Sequence, residues 1–252
     1  MSEWGAGAPA YLRVATELRR RIEAGEIKPG EALPSVTAIM SEYDTSNTTA
    51  QAAIRILKAS GLVEAQRGKG VYVRRVHRTI SRSENYTSPP PDGEGANYRG
   101  KSERLEIAEV VPPDDVAEKL GIDEDARAVR RSRVVTEKVD GSEKRKPVEI
   151  VLSYFPVEIA RGTELDNGKP IPGGTLAALK RMGYPPRNPA VEWVDARMPT
   201  ESEAQILSLP PGTPVLRLLR LTCTDGSRPI EVLDMVFGGD RYRLEYDLPV
   251  HE

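Results

Sequence analysis

The chain of 252 residues holds one cysteine, two histidines, two phenylalanines and two tryptophans. A lone cysteine, Cys223, excludes an intrachain disulfide. With histidine confined to His77 and His251, neither a histidine metal site nor a histidine-based catalytic triad has a foundation. Long apolar runs are missing as well. None reaches the roughly 20 residues that a membrane-spanning helix requires. The opening residues, MSEWGAGAPAYL, lack the basic start and apolar centre of a secretory leader. These absences lead to the expectation of a cytoplasmic protein that uses no metal and no cofactor, with Cys223 as a core residue. Hydrophobic residues make up 38% and charged residues 29%, enough for buried cores, and the length suits two domains.

Acidic excess is small, a net charge of −2, and it is unevenly spread. Residues 1–78 carry twelve Lys/Arg against eight Asp/Glu, a net of +4, which leaves −6 for the remainder. A basic first third on an acidic remainder points to a polyanion met by the first part only.

That first third has helical periodicity. Leu12, Ala15, Leu18 and Ile22 recur at helical spacing, and Gly25 offers a stop. Ser35 is placed to cap a short second helix whose apolar side is Val36, Ile39, Met40 and Tyr43. After a tight turn, Ser46 caps a third helix with a stripe of Ala50, Ala53, Ile54 and Leu57. Asn47, Thr48, Gln51, Arg55 and Lys58 lie on its other side. Two short helices joined this closely form a helix-turn-helix, whose second helix offers its first turns to the major groove. Leu62–Val63 and Val71–Val73 read as two strands, with Arg67, Gly68, Lys69 and Gly70 at the tip between them. A glycine-flanked basic tip suits phosphates or a minor groove. Taken singly, a polar helix face or a glycine hairpin is ordinary surface. In this order they describe a winged helix-turn-helix.

Residues 81–102, SRSENYTSPPPDGEGANYRGKS, have no apolar periodicity and read as a linker. The expected organisation is a DNA-binding domain over 9–78, a linker over 79–102 and a second domain over 103–247. The second half alternates strands with short helices. LEIAEVV is a strand, and PPDDVAEKLGI a short helix. Two hairpins turn at VDGSEKRKP and TDGSRP, and Thr200 with Glu203 has capping-box spacing. The reading is α+β, a mostly antiparallel sheet with helices on one side.

The stretches PAYLRVATELRRRIEAGEIKPGEALPS and SNTTAQAAIRILKASGLVEAQRGKGVYV resemble the DNA-binding domain of the GntR family of bacterial transcription regulators. By that resemblance Ser35, Thr37, Ser46, Asn47, Thr48, Thr49, Gln51, Arg67, Gly68, Lys69 and Gly70 are candidate DNA contacts. Where the family usually has arginine on either side of the paired threonines, this chain has Asn47 and Gln51, and Ser35-Val36-Thr37 replaces the usual Ser-Glu-Arg. The second half resembles the UTRA ligand-sensing domain of the HutC subgroup, through PVEIVLSYFP, GGTLAAL, DARMPTESEAQILSLPPGTPVLRLLRLT and DGSRPIEVLDMVFGGDRYR. The resemblance implies a chorismate-lyase-like fold and a small-molecule effector.

Arg131 and Arg133, two apart on a strand, share a face suited to a phosphate or carboxylate. Glu149 and Glu231 are placed to accept from sugar hydroxyls, and Ser153 and Tyr154 to donate. Tyr242 is a further candidate, and Phe237 stands where some relatives offer a tyrosine hydroxyl. Gly173–Gly174 reads as a loop-to-helix turn, with an anion cradle as the sharper alternative. The expected function is a homodimeric repressor on palindromic double-stranded DNA, released by a small anionic effector. Two alternatives stand beside it: a plasmid or mobile-element repressor with a non-responsive sensor domain, and a chorismate-lyase-like enzyme, against which the histidine placement argues.

Overall fold

The computed structural model describes residues 8–66, 68–74, 79–82, 101–138, 143–187, 190–239 and 242–246. Arg67, His77, His251 and residues 83–100 of the expected linker lie outside them. Two compact units are present, one of Met1–His77 with Leu209–Thr213 and the other of Arg78–Ser208 with Pro214–Glu252.

In the first unit, α1 (Ala10–Glu23), α2 (Val36–Glu42) and α3 (Asn47–Ala59) enclose one apolar cluster. Leu18, Ile39, Ala50, Ala53 and Leu57 are wholly buried. Each large aliphatic side chain contributes about 1.5–3 kcal/mol there by leaving water. Val14, outside the expected stripe of α1, is buried, while Leu12 is only half-buried. Both expected serine caps are made. Ser35 Oγ accepts from the Ala38 N–H at 3.1 Å, and Ser46 Oγ from the Thr49 N–H at 3.3 Å. Between α2 and α3 the chain reverses through Asp44 at φ 46°, a left-handed conformation that aspartate tolerates.

Strands β1 (Val63–Gln66) and β2 (Gly70–Val73) pair antiparallel. The segment before α2 joins them: Leu33 N–H donates to Val71 O and Gly30 N–H to Val73 O, both at 2.8 Å. The tip turns where Lys69 N–H donates to Gln66 O, with Gly68 at φ 73° and Gly70 at φ 118°. Side chains rarely adopt those angles, so glycine is required at both.

The second unit is a six-stranded antiparallel sheet in the order β4-β5-β6-β9-β8-β7. Its strands are β4 (Lys101–Val110), β5 (Ala128–Lys138), β6 (Arg145–Pro156), β7 (Val191–Arg197), β8 (Val215–Cys223) and β9 (Pro229–Gly238). A separate parallel pair joins β3 (Thr79–Arg82) to β10 (Tyr242–Glu245). Thr79–Arg82 and the start of β4 therefore correct the expected linker, which is strand at both ends. The sheet carries helices on both faces, not on one. Helix α4 (Asp114–Leu120) packs on Ala128, Tyr154, Leu219 and Val232. Helix α5 (Val157–Ala160), a 3-10 turn at Glu164–Asp166 and α6 (Gly174–Arg181) pack on Val129 and Phe155. Those residues alternate along the same strands, so both faces need an apolar cover. Thr200 and Glu203 form the expected capping box at the start of α7 (Glu201–Ile206). Cys223 is half-buried at the end of β8 and belongs to none of the core clusters, which corrects its placing in a core.

Candidate DNA interface and effector site

On α3 the apolar stripe faces the core, so Asn47, Thr48, Gln51 and Arg55 are exposed together. Gln51 Nε2 donates to Asn47 Oδ1 at 2.8 Å, and the Ser46 and Thr49 hydroxyls lie 3.0 Å apart. Ser35 and Thr37 are exposed at the start of α2. Lys69 is exposed at the wing tip, where its carbonyl accepts from Tyr72 Oη at 3.3 Å. Arg20 and Arg21 are held by Glu17, Glu26 and Glu42. Among the described residues, Arg13, Arg19, Arg55, Lys58 and Lys69 form no ion pair. The cations left over therefore include those on α3 and on the wing, the two elements that a winged helix-turn-helix lays on DNA.

In the second unit, the alternation of the strands sorts the candidate effector residues. Arg131 lies opposite Ser153, Ser153 opposite Leu233, Leu233 opposite Arg220, and Arg220 opposite Glu192. Thr222 lies opposite Glu231 on the same face. The result is a polar belt between two apolar patches, one under α5 and α6 and the other containing Val135, Val151, Met235 and Phe237.

Within the belt the polar groups have different commitments. Arg131 is buried and spends itself on the backbone: Nη1 donates to the carbonyls of Glu164, Leu165 and Asn167 at 3.4, 2.8 and 2.8 Å, and Nη2 to Lys169 O at 3.1 Å. Burial, then the neighbouring Arg133, pushes its pKa down. A guanidinium fanned over four carbonyls has the bonding of a structural clamp, so Arg131 is committed to this segment in a way that Arg133 is not. Arg220 is tied to Glu192, with Nε donating at 2.6 Å. Arg133 is half-buried and makes no hydrogen bond or ion pair with the described residues. Glu231 is buried and accepts from Thr175 Oγ1, at the start of α6, at 2.9 Å. Burial pushes its pKa up, against the pull of Thr175, Arg220, Arg133 and Ser153. Thr222 Oγ1 is buried without a hydrogen bond among the described residues.

Three other candidates fall away from this belt. Tyr154 is a correction: it follows Ser153 on a strand, so it points through the other face, where it joins the α4 cluster. Burial pushes its hydroxyl pKa up, with Asp234 nearby. Glu149 and Tyr242 lie further along the sheet, away from Arg131 and Glu231. Glu149 lies wholly buried opposite Val135 and Phe237, and the Tyr242 ring stacks on Phe237 at 4.8 Å, within the apolar patch. Thr175, Arg220 and Thr222 belong to the belt without having been singled out in the sequence. For Thr222 the signal was its pairing across the TDGSRP hairpin from Glu231. Gly173 and Gly174 turn into α6 at φ 77° each, and Thr175 after them serves Glu231.

Glu231 makes stability depend on pH. Its folded-state pKa lies above the ordinary carboxylate value, so the unfolded chain loses this proton first as pH rises. The destabilising contribution is absent below the ordinary value of 4.5, grows above it, and is complete once the folded-state value is passed. Glu231→Gln should therefore melt close to wild type at pH 4 and above it at pH 7, measured by thermal denaturation. An equal difference at both pH values would contradict this.

The residues match known proteins throughout both units. Residues 10–73 match the model of bacterial regulatory proteins, gntR family, and residues 95–243 match that of the UTRA domain. The chain belongs to the gntR family of bacterial transcriptional regulators, in the HutC-type group that joins this reader to a UTRA ligand-sensing domain. It is 29% identical over 259 residues to an uncharacterized HTH-type transcriptional regulator of Streptomyces coelicolor, covering 96% of this chain and 94% of that one. It is 27% identical over 218 residues to the mannosyl-D-glycerate transport/metabolism system repressor of Escherichia coli, covering 86% and 81%. A crystal structure of a GntR-family transcriptional regulator superimposes with a TM-score of 0.69 at 28% identity, covering 96% and 98%. No helix of the described residues is long and apolar enough to cross a membrane.

Proposed function

We propose that this protein is a homodimeric repressor that leaves a palindromic operator when a small hydroxylated anion occupies the polar belt of its UTRA domain. The observation that carries the effector reading is Arg133: a half-buried guanidinium that makes no hydrogen bond or ion pair with the described residues, opposite Val151 at the edge of a belt that holds Glu231 and a Thr222 hydroxyl with no hydrogen bond among the described residues. A guanidinium fits a carboxylate or phosphate, while Glu231, Ser153 and Thr222 fit hydroxyls. A relative named for mannosyl-D-glycerate supports the same chemistry, a sugar carrying an acid. Ser35, Thr37, Ser46, Asn47, Thr48, Thr49, Gln51, Arg67, Gly68, Lys69 and Gly70 are the proposed DNA surface. The ligand acts through its differential affinity for the states that bind and release DNA.

The test begins with footprinting of the purified protein on genomic fragments, which should yield a palindrome. Thermal shifts with D-glycerate, glucose 6-phosphate and related hydroxy acids should then find a stabilising ligand that also lowers operator affinity. Arg133→Ala should abolish both responses while leaving operator binding intact. Protection of random DNA alone would sink the reader; an unchanged ligand response in Arg133→Ala would sink the site. At the wing, Lys69→Ala should weaken binding to all sequences alike and reduce the slope of log affinity against log salt by about 1.

A further inference from the structure

We infer that Asn47 and Gln51 form a single reading unit in which Asn47 orients the Gln51 amide, committing one position of each half-site to adenine. The inference rests on the reading of α3 as the helix that enters the major groove. The two residues are one turn apart on the exposed side of α3, within its first two turns. Gln51 Nε2 donates to Asn47 Oδ1 at 2.8 Å. Neither amide makes another hydrogen bond among the described residues. The Ser46 cap sets the start of the helix, so the pair sits at the end that a helix-turn-helix presents to base edges.

The hydrogen-bonding inventory then selects the base. A glutamine amide has two N–H donors on nitrogen and a carbonyl acceptor. With one donor spent on Asn47, Gln51 offers one N–H beside Oε1. Adenine presents N7, an acceptor, beside N6, a donor, which is the complementary pair. Guanine presents N7 beside O6, two acceptors, and would set O6 against Oε1. With Asn47 Oδ1 turned to Gln51 Nε2, as here, the nitrogen end of the Gln51 amide is held and the other N–H and Oε1 are left for the base. With Oδ1 occupied, Asn47 itself keeps two N–H donors for a nearby phosphate or base oxygen. Asn47 is therefore a positioning residue, and Gln51 makes the contact.

The experiment selects bound sequences from a random double-stranded DNA library using full-length wild type, Asn47→Ala, Gln51→Ala and the double variant. Affinities are then measured on the wild-type consensus and on single-base changes. The consensus should hold adenine at one position per half-site, preferred by about 5- to 150-fold, the range of one two-point contact. Gln51→Ala should erase that preference. Asn47→Ala should flatten it at the same position, and the double variant should match Gln51→Ala there. A 7-deazaadenine at that position should weaken wild type and leave Gln51→Ala unchanged. Guanine at the position, or effects of the two substitutions at different positions, would overturn the inference and leave the reader standing. Failure of wild type to select any sequence would overturn both. Because both side chains are exposed, all variants should melt as wild type, so that altered selection reports on reading.

Discussion

Arg131→Ala is expected to destabilise the UTRA domain by about 3–5 kcal/mol, a large share of the roughly 5–15 kcal/mol that holds a domain together. The side chain is 7% exposed and its two terminal nitrogens serve the carbonyls of Glu164, Leu165, Asn167 and Lys169. Removing it takes the donor from four carbonyls, of which the buried one of Leu165 is costliest to leave unpaired, at about 1–3 kcal/mol. Local rearrangement of the segment would recover part of this, which is why the total stays below the simple sum. Lysine should not rescue, since one ammonium cannot span a fan that the planar guanidinium covers. Chemical denaturation should show a lowered midpoint, and hydrogen exchange should show lost protection across residues 164–169. Arg133→Ala, two residues away, should fall within about 1 kcal/mol of wild type, because that side chain makes no hydrogen bond with the described residues. A wild-type melt for Arg131→Ala would show that the clamp is not structural.

Arg217→Leu should cost a similar amount, about 3–5 kcal/mol, through the opposite face of the sheet. Arg217 donates to Asp234 from Nε at 3.0 Å and from Nη2 at 2.8 Å, and also binds Asp115 on α4. The hydrogen bonds to Asp234, more than burial opposes, hold the guanidinium firmly charged. Asp234 is itself buried, at 7% side-chain exposure, so losing Arg217 leaves a carboxylate with its charge uncompensated. Adding Asp234→Leu to Arg217→Leu should restore part of the loss, since replacing both members of a buried pair costs less than breaking it. If the double variant were less stable than either single one, the pair would not be the source of the effect.

These two arginines also mark the limit of what could be read from the chain. The reader domain was legible nearly whole. Ser35 and Ser46 cap, and Ala50, Ala53, Ile54 and Leu57 are buried, because capping and helical periodicity are local. The hairpins and the capping box at Thr200 were legible for the same reason. Even the separation of Ser153 from Tyr154 was available, since neighbours on a strand face opposite ways.

The sequence by itself determined two domains, a basic helix-and-wing reader, and a sheet domain with Arg131 and Arg133 on one face. Only the tertiary structure decided that the two arginines have different work. The carbonyls that occupy Arg131 lie 33 to 38 residues further along the chain, on a turn whose path no strand pattern reports. Thr175 likewise reaches Glu231 across 56 residues. Local propensity and period act within a turn of helix or a hairpin, whereas a buried cation is assigned by whichever distant backbone folds over it.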